Sequence, residues 1–242
     1  MPAKMLPEKL RSIFRRENGP ANGSQLVSQA AGGAHLTANG LQIRKPARKE
    51  PPVARQSRGL EQFFFNIRDV VGLSILDCSA ANQENIDVLV DLGHKIYSQD
   101  LVRSLDEAFG IDPAEQTNVS RIDYFLRQNF DYPSGTFDGV LLWDSLQFMS
   151  PALLNEVVER LYDVMTPKSY LLAFFTAKER ATEAPSYGFR IVDNKTILLS
   201  DRGTRPAGQV FNNRNLEKLF GKFESVKFFL TRESLREVIV RR

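Results

Sequence analysis

The stretch Gly72-Leu-Ser-Ile-Leu-Asp-Cys-Ser-Ala-Ala-Asn-Gln83 joins a short apolar run to a loop of small residues. An apolar run that ends on a carboxylate, here Asp77, is typical of a strand covered on both faces. In parallel α/β sheets such a strand is followed by a loop and a helix, and ligands bind at that end of the sheet. This loop contains no glycine, the residue that adopts a positive φ without strain. The stretch therefore predicts an α/β domain with an unusual ligand-facing loop.

The chain after Gly59 alternates apolar strands with amphipathic helices. We expect helices at 85–92, 102–109, 152–165 and 212–220, and strands at 70–78, 95–98, 137–143, 169–176, 225–230 and 237–241. Residues 121–130 fit a helix or a strand, and 189–193 with 196–200 fit a surface hairpin. The alternation predicts a doubly wound, mostly parallel sheet, and the closing strand pair predicts an antiparallel strand near its edge.

The positive charge of the chain is concentrated before this body. Of 32 Lys and Arg residues, 11 lie in residues 1–58, together with only 3 of the 29 Asp and Glu residues. The body is therefore net acidic, and the pI near 9.0 comes from the tail. Composition gives no support for a basic nucleic-acid-binding face on the body.

The N-terminal 58 residues are predicted to be a basic, largely disordered tail, and residues 59–242 the folded domain. Residues 19–58 have a composition that buries too little apolar area to fold. Residues 7–16 carry an apolar stripe at helical spacing, which predicts a short amphipathic helix. Three roles stay open for the tail: a solvated segment, a lid over the site, or an arm that contacts nucleic acid, an anionic membrane or a protein partner.

The sequence lacks the residues that several kinds of site and catalytic mechanism require. The single Cys78 excludes an internal disulfide, and the two histidines, His35 and His94, are too few for a histidine-based metal site or a plausible catalytic triad, so no metal ligands are predicted. Neither a Gly-x-x-x-x-Gly-Lys loop nor a Gly-x-Gly-x-x-Gly loop is present. The sequence has no apolar run of membrane-spanning length and no secretory pattern, which favours a cytoplasmic protein.

A second informative pattern consists of a turn, a Phe-Asp pair, an apolar strand and a helix that ends near a proline. It comprises the stretch Tyr132-Pro-Ser-Gly-Thr-Phe-Asp-Gly-Val-Leu-Leu-Trp-Asp144, the helix at 152–165 and Pro167. Together with the order of elements, it resembles the class I S-adenosylmethionine-dependent methyltransferases over residues 69–242. Lys168 stands where the family has a glycine. The resemblance implies a Rossmann-like, seven-stranded sheet with S-adenosylmethionine as the cofactor.

The resemblance also implies cofactor-binding positions in the glycine-free loop. Asp77 matches the acid of the family's first motif, and Ser79, Ala81 and Gln83 occupy its glycine positions. Serine and alanine keep some room for close backbone approach to a ligand but lose the easy positive φ. Asn82 tolerates a left-handed conformation better than most residues, so it is a partial replacement.

Five further residues follow from the resemblance. Asp100 matches a carboxylate that accepts hydrogen bonds from ribose hydroxyls, or it is a helix N-cap. Asn129, with Phe130 beside it, matches the position that contacts the adenine amino group, or it is a polar turn residue. Trp143 and Asp144 emerge at the ligand edge of a strand. Trp143 also fits the core, and Asp144 is a catalytic candidate that also fits a helix cap.

The sequence thus predicts an S-adenosylmethionine-dependent methyltransferase that acts on an unidentified acceptor. The alternative is a catalytically inactive methyltransferase-like domain that serves as a binding or assembly module. The glycine-free loop at 78–83 favours this alternative, with the basic tail as its recruiting arm.

Overall fold

A six-stranded sheet runs through the centre of the computed structural model, which describes residues 51–177, 182–231 and 235–242. The helix expected at 7–16 lies outside the described residues. In the described part of the chain, no helix has the length and apolar character that a membrane crossing needs. The elements, in chain order, are β1 Val53–Gln56, α1 Arg58–Ile67, β2 Ser74–Asp77, α2 Gln83–Asp91, β3 Lys95–Ser98, α3 Leu101–Phe109, α4 Val119–Phe130, β4 Phe137–Trp143, α5 Pro151–Val164, β5 Met165–Thr176, β6 Glu183–Ile191, β7 Thr196–Pro206, α6 Asn213–Leu219, β8 Ser225–Leu230 and β9 Leu235–Arg241.

The central sheet has the strand order β3-β2-β4-β5-β9-β8. Strands β3, β2, β4 and β5 are parallel, and β9 runs antiparallel to both of its neighbours, β5 and β8. This confirms the mostly parallel α/β sheet and the antiparallel pair at the C-terminus. The chain goes from β2 outward to β3 and then crosses to β4 on the other side of β2. The switch point of the sheet, where ligands bind in such folds, therefore lies between β2 and β4.

The sheet described here has six strands rather than the seven that the resemblance implied. The ambiguous segment is the helix α4, which begins with the Asn118 side chain accepting a hydrogen bond from the Arg121 N–H. Between α3 and α4 the chain makes a turn at Gly110, with φ 77°, and a short 3-10 turn at Pro113–Glu115. Proline lacks the N–H that a strand ladder uses, so this connection forms no additional edge strand.

A second sheet of three antiparallel strands, in the order β1-β7-β6, covers one side of the carboxyl edge. It corresponds to the expected hairpin, but its strands are much longer than 189–193 and 196–200. Strand β1 pairs with β7 and belongs to the stretch that composition assigned to the tail. The pattern did not predict β1, because a four-residue edge strand with three exposed residues carries almost no apolar periodicity.

Apolar clusters cover both faces of the central sheet. One cluster combines α3, α4, α5 and α6 with the strands, and the other combines α1, α2, β6 and β7 with them. Gly139 of β4 lies on the sheet face that is covered by α1, α2, β6 and β7. A Cβ atom at this position would come within 2.8 Å of both Ile75 Cδ1 and Phe63 Cζ. Helix α1 therefore packs directly on the sheet at a position that only glycine allows.

The start of the first parallel strand differs from the expectation of 70–78. Strand β2 begins at Ser74, and Val70 and Val71 are 51% and 79% exposed in the preceding loop. Their apolar side chains extended the predicted strand toward the N-terminus, although the backbone there lacks a neighbouring strand.

Gly139→Ala is expected to lower the free energy of unfolding by about 1–3 kcal/mol, because the added methyl group overpacks the contact with Phe63 and Ile75. Urea denaturation measures the change. Ser225→Ala, at an exposed position of β8, is the control and leaves the unfolding midpoint nearly unchanged. An unaltered midpoint in Gly139→Ala would contradict the close packing of α1 on β4.

Candidate functional site

The carboxyl ends of β2, β3 and β4 are joined by backbone hydrogen bonds beyond the strands themselves. The Gln99 N–H donates to the Asp77 carbonyl at 2.8 Å, and the Cys78 N–H donates to the Leu141 carbonyl at 2.8 Å. The Leu101 N–H reaches the Cys78 carbonyl at 3.4 Å. The loop after β2 is therefore held on both sides at the switch point.

Asp77 is a buried organising group of this edge, with 1% of its surface exposed. Its Oδ1 accepts hydrogen bonds from Ser79 N at 3.0 Å, Ser79 Oγ at 2.8 Å and Trp143 Nε1 at 2.6 Å. Its Oδ2 accepts one from Asn85 Nδ2 at 3.0 Å. Burial raises the pKa of Asp77 above its ordinary value, and these four hydrogen bonds oppose the rise. Both oxygens of Asp77 are thus directed to the protein.

Trp143, the only tryptophan of the chain, fills the space above the ends of β2 and β4. Its indole lies nearly parallel to Phe189, with ring centroids 4.9 Å apart, and to Phe174, at 5.9 Å. Its φ is 53°, in the left-handed region where a bulky side chain is strained. The sequence analysis left open whether Trp143 belongs to the core or to the site. The structure places it in the core, 1% exposed, at the carboxyl end of β4.

Strand β6 docks edge-on against side chains that follow β2 and β4. Its outward-facing backbone groups at every second residue bond to four of these side chains rather than to another strand. The bonds run from Gln147 Nε2 to the Pro185 carbonyl (3.0 Å), from the Tyr187 N–H to Asp144 Oδ2 (2.9 Å), from Asn82 and Asn85 Nδ2 to the Phe189 carbonyl (both 3.4 Å), and from the Ile191 N–H to Asn85 Oδ1 (2.7 Å). An edge strand that would otherwise expose its polar groups is sealed in this way.

Asp144 lies beneath β6 and is 3% exposed. Burial raises its pKa to about 7, while the hydrogen bond from the Tyr187 N–H and the charges of Arg202 and Arg205 act in the opposite direction. A carboxyl group with a pKa near neutrality can both accept and release a proton at physiological pH. Asp144 has no side-chain hydrogen bond to the segment that follows it, so the alternative role as a helix cap is not observed.

The glycine-free loop borders a cavity of about 250 Å³. Ser79, Ala81 and the rest of the loop line one side, and the outer faces of β6 and β7, with Arg190 and Arg202, line the other. No residue of this loop has a positive φ. Sites for drug-sized ligands usually measure about 300–1,000 Å³, so this cavity holds only part of such a ligand.

Asp100 lies beside this loop, between two residues that bond to the β2 end. Its Oδ1 caps α3 by accepting a hydrogen bond from Arg103 N at 3.1 Å. In the described part of the chain, no donor bonds to its Oδ2. The N-cap role is thus observed.

Asn129 and Phe130 lie at the end of α4 and not in an edge loop. Asn129 is buried, accepts a hydrogen bond from Gln99 Nε2 at 2.7 Å and donates to the Phe125 carbonyl at 2.7 Å. Phe130 is fully buried in the core and presents no surface to a ligand in this conformation. The structure therefore brings Asp77, Ser79 and Trp143 into direct contact, and Gln99 connects Asn129 to Asp77.

Asn85 and Gln147 are site residues that the sequence analysis missed. Both are almost fully buried, and both bond to β6. A polar residue on the buried side of a helix was the available signal for Asn85, since buried amides need partners.

Cys78 is 2% exposed, and burial raises the pKa of its thiol well above the ordinary value, with the charge of Asp77 adding to the rise. A neutral, enclosed thiol is a poor nucleophile. Within the described ranges, no group of three or more His, Cys, Asp or Glu side chains is arranged to hold a metal ion.

No protein-family model and no curated protein matches the chain. Similar solved structures include the 1,6-didemethyltoxoflavin-N1-methyltransferase of Burkholderia thailandensis with bound 1,6-didemethyltoxoflavin and S-adenosylhomocysteine, which is 10% identical over 76% of each chain, with a TM-score of 0.43. A SAM-dependent methyltransferase from Archaeoglobus fulgidus is 12% identical over 76% of this chain and 91% of that one, with a TM-score of 0.45. A SAM-dependent methyltransferase from Methanosarcina mazei is 13% identical over 72% and 93%, with a TM-score of 0.40. At these values the likeness carries no argument about activity.

Asp144→Asn is expected to become more stable relative to the unmodified chain as the pH rises from 5 to 7. The folded-state pKa of Asp144 lies above the unfolded value, so ionisation destabilises the folded state by up to about 1.4 kcal/mol per pH unit in this window. Asparagine keeps an acceptor for the Tyr187 N–H and cannot ionise. Urea denaturation at each pH measures the difference.

The matched control is Asp91→Asn, at the exposed end of α2. Its stability relative to the unmodified chain is expected to stay constant over the same pH range. A constant difference for Asp144→Asn as well would show that Asp144 is not held in a desolvated site.

Proposed function

We propose that the domain binds S-adenosylmethionine at the carboxyl edge of β2, β3 and β4 and transfers its methyl group to an acceptor that is not identified. The observation that carries the proposal is the sheet itself. Its switch point lies between β2 and β4, and its last strand is antiparallel and inserted between β5 and β8. These features agree with the resemblance to the class I methyltransferases. The proposal includes a doubly wound domain that lacks one edge strand of the family.

The residue types at the edge fit this cofactor. Asp100 Oδ2 is the group proposed to accept hydrogen bonds from ribose hydroxyls, and the loop at 79–82 offers backbone and a cavity beside it. When bound, the cofactor would supply an activated methyl group, and catalysis would need chiefly alignment and exclusion of water.

The space at the edge fits the cofactor only in part. Trp143 holds the hydrogen bond to Asp77 and the cavity beside the loop is small. Binding of the whole cofactor in the described conformation would therefore require side chains to move.

Strand β6 and Asp144 are proposed to face the acceptor. The antiparallel sheet β1-β7-β6 covers the same edge, so it excludes water there. Asp144, with a pKa of about 7, is the proposed proton acceptor if the methylated atom loses a proton.

A second candidate function is favoured by the same closed edge. Every oxygen of Asp77 is satisfied within the protein, and no residue of the loop has the positive φ that glycine would permit. A domain that keeps this edge permanently shut would be a binding or assembly module.

Calorimetric titration with S-adenosylmethionine and S-adenosylhomocysteine decides between the two functions. We expect binding to the unmodified chain, and an affinity about 10- to 100-fold weaker in Asp100→Asn, because hydrogen bonds to a charged acceptor are lost. Asparagine keeps the N-cap of α3, so the fold is retained.

Asp112→Asn is the matched control, because Asp112 caps a 3-10 turn away from the loop. Its affinity for either ligand is expected to equal that of the unmodified chain. The absence of binding at millimolar concentrations of both ligands would overturn the methyltransferase proposal and favour the module.

A further inference from the structure

Trp143 occupies its position under unfavourable backbone geometry. A φ of 53° is strained for a bulky residue, and such outliers persist only where surrounding contacts hold them. Two contacts do so here: the 2.6 Å hydrogen bond from Nε1 to Asp77, and the parallel packing on Phe174 and Phe189. A backbone change that takes φ of Trp143 out of the left-handed region would release the strain, and it would also move the indole away from these contacts.

The groups around the indole define the chemistry of the space that it fills. Phe174 and Phe189 form an aromatic wall, with their own ring centroids 5.3 Å apart. Asp77 Oδ1 accepts the hydrogen bond of the ring N–H, and Asn85 Nδ2 donates to the other oxygen of the same carboxylate. An aromatic wall with one buried acceptor suits a planar ring that carries an N–H donor.

The closing contacts of β6 do not depend on the indole alone. The backbone of β6 is bonded to Asn85, Asp144 and Gln147. Removal of the indole therefore leaves the wall formed by Phe189 attached to the edge.

We propose that the space occupied by the Trp143 indole is a binding site for a planar nitrogen heterocycle with an N–H donor, and that the indole is a plug that such a ligand displaces. The ligand takes over the Asp77 carboxylate and the faces of Phe174 and Phe189. The proposal concerns only this space, which we call the slot, and it does not require that the chain bind S-adenosylmethionine.

Adenosine is the probe, because it combines a planar heterocycle with N–H donors. Its affinity is measured by calorimetry for the unmodified chain, Trp143→Ala and Trp143→Phe. We expect Trp143→Ala to bind adenosine about 10- to 100-fold more tightly than the unmodified chain, because no hydrogen bond to a charged group has to be broken first. Trp143→Phe lacks only the N–H donor and part of the ring, so its affinity is expected to lie between the two.

Fluorescence supplies an independent measurement, because Trp143 is the only tryptophan. As adenosine saturates the unmodified chain, the emission maximum is expected to shift to longer wavelength when the buried indole enters water. Phe211→Ala opens space in the other apolar cluster and is the control, with no gain in adenosine affinity expected.

Equal affinities of the unmodified chain and Trp143→Ala would overturn the proposal, as would a folded Trp143→Ala that binds no adenosine. If circular dichroism shows that Trp143→Ala is unfolded, Trp143→Phe decides, and an affinity no higher than that of the unmodified chain overturns the plug. If Trp143→Ala binds adenosine more tightly than the unmodified chain and no variant binds S-adenosylmethionine, the slot is supported and the methyltransferase proposal fails. Binding of adenosine to the unmodified chain with unchanged tryptophan emission would overturn the plug, whether or not the chain binds S-adenosylmethionine.

Discussion

The hydrogen bond between Trp143 Nε1 and Asp77 Oδ1 joins the end of β4 to the end of β2 inside the protein. Asp77 is buried, so its carboxylate needs several donors to offset the loss of water, and it receives four. One of these comes from Trp143, which thereby turns its indole over the switch point. The indole in turn offers a flat surface to Phe189 of β6. The closed form of the edge follows from this chain of contacts.

Three buried acids each attach an added element to the carboxyl edge. Asp77 holds α2 through Asn85, and Asp144 holds β6 through the Tyr187 N–H. Glu237, fully buried near the start of β9, accepts hydrogen bonds from Gly59 N at 2.6 Å and Ser57 Oγ at 3.0 Å and so fixes the start of α1. Burial raises the pKa of each of these groups. A ligand that replaces one of these hydrogen bonds would therefore release the attached helix or strand as well as change the surroundings of the acid.

Local pattern predicted most of the central sheet and the helices on it. Strand β4 at 137–143 was predicted at its observed bounds, since a long apolar run between turn residues has few other interpretations. The pattern predicted each of the six strands of the central sheet, and the seventh was implied only by the resemblance. The pattern did not decide residues 121–130, because they fit two periods and packing on Phe109 and neighbouring side chains selects the helix. The long strands β6 and β7 were not predicted either, since their length is set by pairing with β1 and by bonds to side chains far away in sequence.

The places of the candidate site residues in the fold were predicted, but their contacts were not. The sequence placed Asp77, Asp100 and Trp143 at the carboxyl edge, where the structure has them. The positive φ of Trp143 and the partners of Asp77 depend on residues up to 66 positions apart, and no local pattern encodes them. The loop without glycine therefore explains only part of the closed edge. The indole that closes the edge lies on another strand, β4, and the loop sequence does not indicate it.

Hydrogen exchange of the Trp143 indole N–H, followed by NMR, tests most directly whether this bond closes the edge. The chain has one tryptophan, so one indole resonance reports on the contact. The account predicts an exchange as slow as that of the buried backbone N–H groups of β4, and a large acceleration in Asp77→Asn if the fold is kept. Exchange as fast as that of a solvent-exposed indole in the unmodified chain would contradict it.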